Sequence, residues 1–171
     1  MADALQAILI DSFTRIRDYL FEVLEGMTPD QLAWRPQPDG NSIGWLAWHL
    51  TRIQDDHLAG VSGAEQVWVS AGWCDRFGLP FSPPATGYGH RSPDVDAVRV
   101  SSVDLLTGYH QEVFESSVAL LERVTEPDLG RIVDSSWDPP VTLAVRLVSV
   151  IADDLEHVGQ AAYVRGLLER A

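Results

Sequence analysis

The stretch WHLTRIQDDH, residues 48–57, packs two histidines, an arginine and two aspartates into three helical turns. At 100° per residue, Trp45, His49, Arg52, Ile53 and Asp56 share one stripe, His57 lies off it, and Asp55 lies further away. Ionisable groups placed among aromatic and aliphatic side chains cost free energy unless they are paired or coordinated. The stripe therefore suits a pocket wall. It is equally compatible with an i,i+4 ion pair between Arg52 and Asp56 beside a hydrogen-bonded core histidine.

A second such group stands about a hundred residues downstream, in IADDLEHVGQ, residues 151–160. Asp153 and His157 are spaced i,i+4, so one helix face can present a carboxylate and an imidazole to a single ion. Asp154 and His157, at i,i+3, offer the same chemistry. Val150 and Val164 flank these residues, so the face is not fully polar. If a bundle brings His49 against Asp153 and His157, three protein ligands meet. That count leaves positions open on a catalytic metal for water or substrate. Arg52 and Asp56 are then the candidate catalytic residues, supporting the ligands or contacting a charged substrate.

The elements that must position these groups are helices. Leu5, Ile8, Leu9, Phe13, Ile16, Leu20 and Val23 recur at helical spacing over residues 3–25, and Gly26 supplies a stop. Thr28, Pro29 and Gln31 form a capping-box pattern for one short turn that ends near Pro36. The second long helix is expected over 43–60, the third over 102–124 and the fourth over 141–169. Residues 60–101 are rich in Gly, Pro, Ser and aromatics. A structureless loop of that length is uncommon unless functional, so part of it, near 63–77, is expected to be helical and the rest a lid or wall. MTPDQL (27–32) and VTEPDL (124–129) echo one another, which suggests two helix pairs related by a pseudo-twofold. No segment shows a period-2 strand pattern. The expectation is an all-α single domain over 1–171, a four-helix bundle with a long, partly helical connection between helices two and three.

Composition narrows the function classes. A net charge of −13 disfavours nucleic acid and anionic membrane surfaces. No apolar run is long enough to span a bilayer, and the first residues lack the basic region of a signal peptide, which fits a cytoplasmic protein. The single cysteine, Cys74, excludes an internal disulfide framework. A lone cysteine in an aromatic segment is more often inert than nucleophilic. TGYGH, residues 86–90, reads either as a substrate lip or as a flexible turn.

Four segments carry a family resemblance: LAWRPQPDGNSIGWLAWHLTRIQDDH (32–57), QVWVSAGWCDRFGLP (66–80), TGYGH (86–90) and VTLAVRLVSVIADDLEHVGQAAYVRGLL (141–168). Together they resemble the DinB-like superfamily, with the nearest likeness to its actinobacterial, mycothiol-dependent S-transferase branch. The resemblance implies a four-helix bundle and a divalent metal held by His49, Asp153 and His157, with Asp153 standing where the family usually has His or Glu. Zn²⁺ is the first expectation and Ni²⁺ or Mn²⁺ the alternatives. It implies transfer of a low-molecular-weight thiol to a small electrophile, a detoxification chemistry, in a protein that forms homodimers. Two other readings use the same residues. One is a hydrolase or isomerase at the same metal. The other is a non-catalytic metal-binding or small-molecule-binding stress protein.

Overall fold

The computed structural model describes residues 4–170, so residue 3, the expected start of the first helix, lies outside the described residues. Helix α1 (Ala4–Leu24) buries Leu9, Phe13, Ile16, Leu20, Val23 and Leu24, one face of an amphipathic helix. The short α2 (Pro29–Ala33) begins with the capping box between Thr28 and Gln31. Helix α3 (Ile43–Ser62) is capped by Ser42, whose side chain accepts from the Trp45 amide, and ends on Gly63 in the left-handed region. It is buried on nearly every side and is the central helix of the domain. Helices α7 (Val103–Leu121) and α8 (Leu143–Leu168) complete the bundle.

Side-chain contacts give the sense of each helix. Gln6 at the start of α1 donates to the Glu122 carbonyl past the end of α7, so these two run antiparallel. His49 lies beside His157, and His57 beside Arg146, so α3 and α8 are also antiparallel. Thr51 meets His110 at 3.0 Å and Gln54 donates to Ser117 at 2.7 Å, so α3 and α7 run parallel. Two consecutive parallel helices oblige the chain to travel back the length of the bundle, about 30 Å for 20 residues. The connection between α3 and α7 is long for that reason. It carries three short helices, α4 (Val67–Ser70), α5 (Trp73–Phe77) and α6 (Ser92–Ala97), where the sequence suggested one helical region near 63–77.

The all-α expectation needs one addition. Ile132–Asp134 (β1) and Val141–Thr142 (β2) pair antiparallel, too short for a period-2 pattern to be visible in sequence. The hairpin follows a 3₁₀ turn, Glu126–Gly130, in which Thr125 and Asp128 form a capping box, so both halves of the sequence echo are capped turns. Among the described residues no helix is long and apolar enough to cross a membrane.

The crossover is fastened to α3 by a buried polar network. Arg52 has no exposure to water. Its guanidinium donates to the Ala85 carbonyl at 3.1 Å, the Tyr109 hydroxyl at 3.2 Å and the Gln66 side-chain oxygen at 2.8 Å. Asp55, which the helical wheel turned away from the pocket stripe, is also buried. It accepts from the Val67 and Trp68 amides at 2.9 and 2.8 Å and from the Tyr109 hydroxyl at 2.8 Å, with Arg52 at 3.5 Å. Burial pushes the Asp55 carboxyl up, and these donors oppose the shift. Removing one partner of such a pair strands the other charge, at roughly 3–5 kcal/mol. Asp55→Ala should therefore lower the unfolding free energy by about 3 kcal/mol in a urea titration; a change under about 0.5 kcal/mol would contradict the network's role.

His110 is fully buried against Thr51, with its Nε2 hydrogen-bonded to nothing among the described residues. Burial lowers its pKa to about 3. The unfolded chain takes up that proton first as pH falls below about 6.5, so stability drops with acidification from there toward pH 3. The slope from this one group approaches about 1.4 kcal/mol per pH unit. Urea midpoints measured between pH 7 and pH 5 should fall less steeply in His110→Gln than in the unmodified chain.

Candidate metal centre

His49 projects from α3 and is buried; Asp153 and His157 project from one face of α8. The antiparallel packing of these helices brings the three together, with one ligand atom from each within 4.8 Å of the others. The His49 and His157 rings stand edge to face with centroids 4.8 Å apart, and His157 Nε2 lies 3.7 Å from Asp153 Oδ1.

Hydrogen bonds set the tautomers. His49 Nδ1 is 2.6 Å from the Thr86 carbonyl, which can only accept, so Nδ1 carries the proton and Nε2 keeps its lone pair. His157 Nδ1 is 3.1 Å from Gln160 Oε1, which leaves its Nε2 free in the same way. Burial is the main reason the His49 pKa is lowered, so this ring is neutral and ready to ligate. Asp153 Oδ2 is buried with no hydrogen-bond partner among the described residues. Two imidazoles and a carboxylate with one ligand atom each within 4.8 Å of the others, one carboxylate oxygen being unsatisfied, fit a divalent transition ion. Trp45 walls the site from within, stacked on His49 at 4.6 Å and edge-on to His157 at 6.1 Å. The His157 and Asp153 side chains are 16 % and 36 % exposed, so the site opens on that side.

The other sequence candidates sit elsewhere. Asp154 is fully buried with neither oxygen hydrogen-bonded among the described residues. Burial, and then the charge of Asp153, pushes its carboxyl well above the usual range, so it stays a neutral core residue. Arg52 and Asp56 do not join the three ligands. Arg52 acts at a distance, by holding the Ala85 carbonyl next to the one that orients His49. Asp56 accepts from Gln66 at 2.7 Å and faces His57 at 3.6 Å, in a polar recess with Asp134 and Arg146. The i,i+4 pairing of Arg52 with Asp56 is replaced by the i,i+3 contact of Arg52 with Asp55.

Sequence reasoning missed Thr86 as the partner of His49, because the two are 37 residues apart. Gly87 was the available signal. Its φ is +95°, and a Cβ there would stand 2.6 Å from His49 Nδ1 and 3.1 Å from Trp48. His90 closes the loop by accepting from the Trp45 indole at 3.2 Å.

Four long helices with two histidines and a carboxylate converging between α3 and α8 define a helical-bundle protein with a candidate divalent-metal site. Residues 12–161 match the DinB superfamily, and the chain belongs to that superfamily, which includes metal-dependent enzymes. The fold is also that of a solved structure of a conserved protein from Enterococcus faecalis, with 29% identity over 99% of this chain and 100% of that one, at a TM-score of 0.92. No curated protein matches the chain in a sequence search.

Moving the Gly87 backbone should disturb His49 before anything else. Gly87→Ala is expected to lower affinity for Zn²⁺ roughly 10- to 100-fold, the usual effect of losing a ligand-orienting partner. Competition against a chromophoric chelator measures this, with the thermal midpoint as a control for folding.

Proposed function

We propose that this protein is a divalent-metal-dependent transferase that moves a low-molecular-weight thiol, of the mycothiol kind, onto a small electrophile. The observation that carries the reading is the ligand set: two imidazoles and one carboxylate, open to solvent on one side. Held by His49, Asp153 and His157, a divalent ion would keep a net positive charge and would supply the Lewis acidity that favours a thiolate over a thiol at neutral pH. The chain's own part is positional. His49 is held by Thr86 and backed by Trp45, His157 is held by Gln160, and Asp153 provides the neutralising charge. The wall formed by Trp45 keeps water from one side of the ligands, and the opening beside Asp153 admits the electrophile. Arg52 contributes by fixing the 85–87 backbone, and Asp56 by adding negative charge to the recess one turn along α3.

Elemental analysis of protein purified without a metal-binding tag should find about one divalent ion per chain, lost in His157→Ala. The loaded protein should then accelerate loss of free thiol in the presence of 1-chloro-2,4-dinitrobenzene, and the variant should not. Metal without thiol consumption, but with cleavage of ester or amide probes, would favour the hydrolase reading. No uptake of Zn²⁺, Ni²⁺ or Mn²⁺ would remove the site altogether.

A further inference from the structure

A groove of about 670 Å³ runs between the carboxyl-terminal halves of α1 and α8. That volume lies in the range of roughly 300–1,000 Å³ usual for small-molecule sites. At 100° per residue its α8 wall, Leu155, Gly159, Ala162 and Gly166, stands about 140–200° round the helix from His157, so it opens on a different face from the metal centre. Val23 and Val158 are buried at its floor, and Tyr19 and Leu155 are exposed on its walls. Gly159 and Gly166 lie inside α8 with no left-handed φ, and a Cβ at either would meet nothing within 4 Å. Glycine weakens a helix interior relative to alanine. Neither backbone shape nor internal packing asks for it here. What the two glycines preserve is the open space of the groove.

The groove also has a direction. Helix α1 is antiparallel to α7, α7 parallels α3, and α3 is antiparallel to α8, so α1 and α8 run parallel. Along that shared sense the α1 wall passes from Tyr19 to Glu22 and Glu25, and the α8 wall from Leu155 to Glu169. Both helices end beside these carboxylates, and helix carboxyl ends carry partial negative charge. The one cation of the lining, Arg165, is occupied: it donates to Glu169 at 2.8 Å and to the Glu22 and Val23 carbonyls at 2.7 and 2.8 Å. The Glu22 and Glu25 carboxylates have no ion-pair partner among the described residues. Arg15, which meets Tyr19, is paired with Asp11 at 2.7 Å. A second copy docked here by two-fold symmetry would bring two acidic rims into one interface, so the charge favours a positive occupant. We propose that this groove binds a small amphipathic cation. Its apolar, ring-bearing body lies along Val23, Val158 and the two glycines beside Tyr19, and its ammonium lies among Glu22, Glu25 and Glu169. Such a ligand gains from leaving water, from the face of Tyr19 and from the carboxylates together. The site is independent of the metal-thiol reading.

The test is calorimetric titration of full-length protein with 4-phenylbutylamine, beside 4-phenylbutyrate, which has the same ring and the opposite charge, and n-butylamine, which has the charge and no ring. The expected result is saturable binding of the aromatic amine at one site per chain, with both control probes roughly tenfold weaker or more. Gly159→Leu, which fills the groove, should weaken the amine at least about tenfold. Glu22→Gln combined with Glu25→Gln should weaken it roughly three- to tenfold, a loss that shrinks at high salt. This pair lies on the exposed rim and serves if the leucine variant does not fold, which thermal midpoints report. His157→Ala should bind the amine like the unmodified protein. Absence of saturable binding, or an affinity that neither groove variant changes, overturns the proposal. Loss in His157→Ala alone assigns the amine to the metal centre and also overturns it. An unmodified protein that ignores the amine and sediments as a dimer, while Gly159→Leu sediments as a monomer, makes the groove an interface between copies and overturns it equally.

Discussion

A guanidinium with no access to water organises this structure. Arg52 sits on the central helix and spreads its donors over three separated stretches of chain: the middle of the crossover at Ala85, its beginning at Gln66, and α7 at Tyr109. Asp55 completes the network by taking the first amides of α4. A charge in that position is tolerated only when its hydrogen bonds are filled. The path of the crossover follows from this constraint, because the carbonyl and side chains that fill them lie along it. The candidate metal centre inherits the result. The carbonyl that orients His49 is the neighbour of the one that Arg52 holds.

The two halves of the centre are built by different means. On α8, spacing alone suffices, since i,i+4 on a rigid helix places Asp153 and His157 side by side, and Gln160 one turn on sets the imidazole. On α3 only one ligand is available, and its orientation comes from a loop 37 residues away. That loop can approach because Gly87 has no side chain. Aromatic packing does the remaining work: His90, at the end of the loop, stacks on Trp48, and both rings pack against Phe81.

What could be read in the sequence was what local spacing determines. Helical periodicity gave the four long helices, and residue type with i,i+4 spacing gave Asp153 and His157 as partners. His49 was legible only as a polar residue on an apolar stripe, and its company came from the resemblance. The parallel sense of α3 and α7 was not legible, because no local signal encodes it. The partners of Arg52 and Asp55 were hidden for the same reason: Tyr109 lies more than fifty residues from each. A wheel drawn for one helix sorts residues by angle, and it turned Asp55 outward because it could not know that a crossover covers that side. Asp154 shows the converse. Its i,i+3 spacing from His157 offered it as a ligand, and it instead faces the core, its carboxyl pushed well up by burial, which spacing alone cannot distinguish from a ligand.

Long-range connectivity also fixes when the centre can exist. Its first ligand is on α3 and the other two are on α8, with the whole crossover, α7 and the hairpin between them. During synthesis, a nascent chain that has emerged only as far as α7 has His49 but neither of the other two candidate ligands. Capture of an ion by all three would therefore wait until the fourth long helix has docked antiparallel on the second. Pairing elements so far apart carries the loop-closure entropy that slows folding. Metal uptake would act as a checkpoint on assembly, since an ion seated on three ligands favours only those chains whose last long helix is already home.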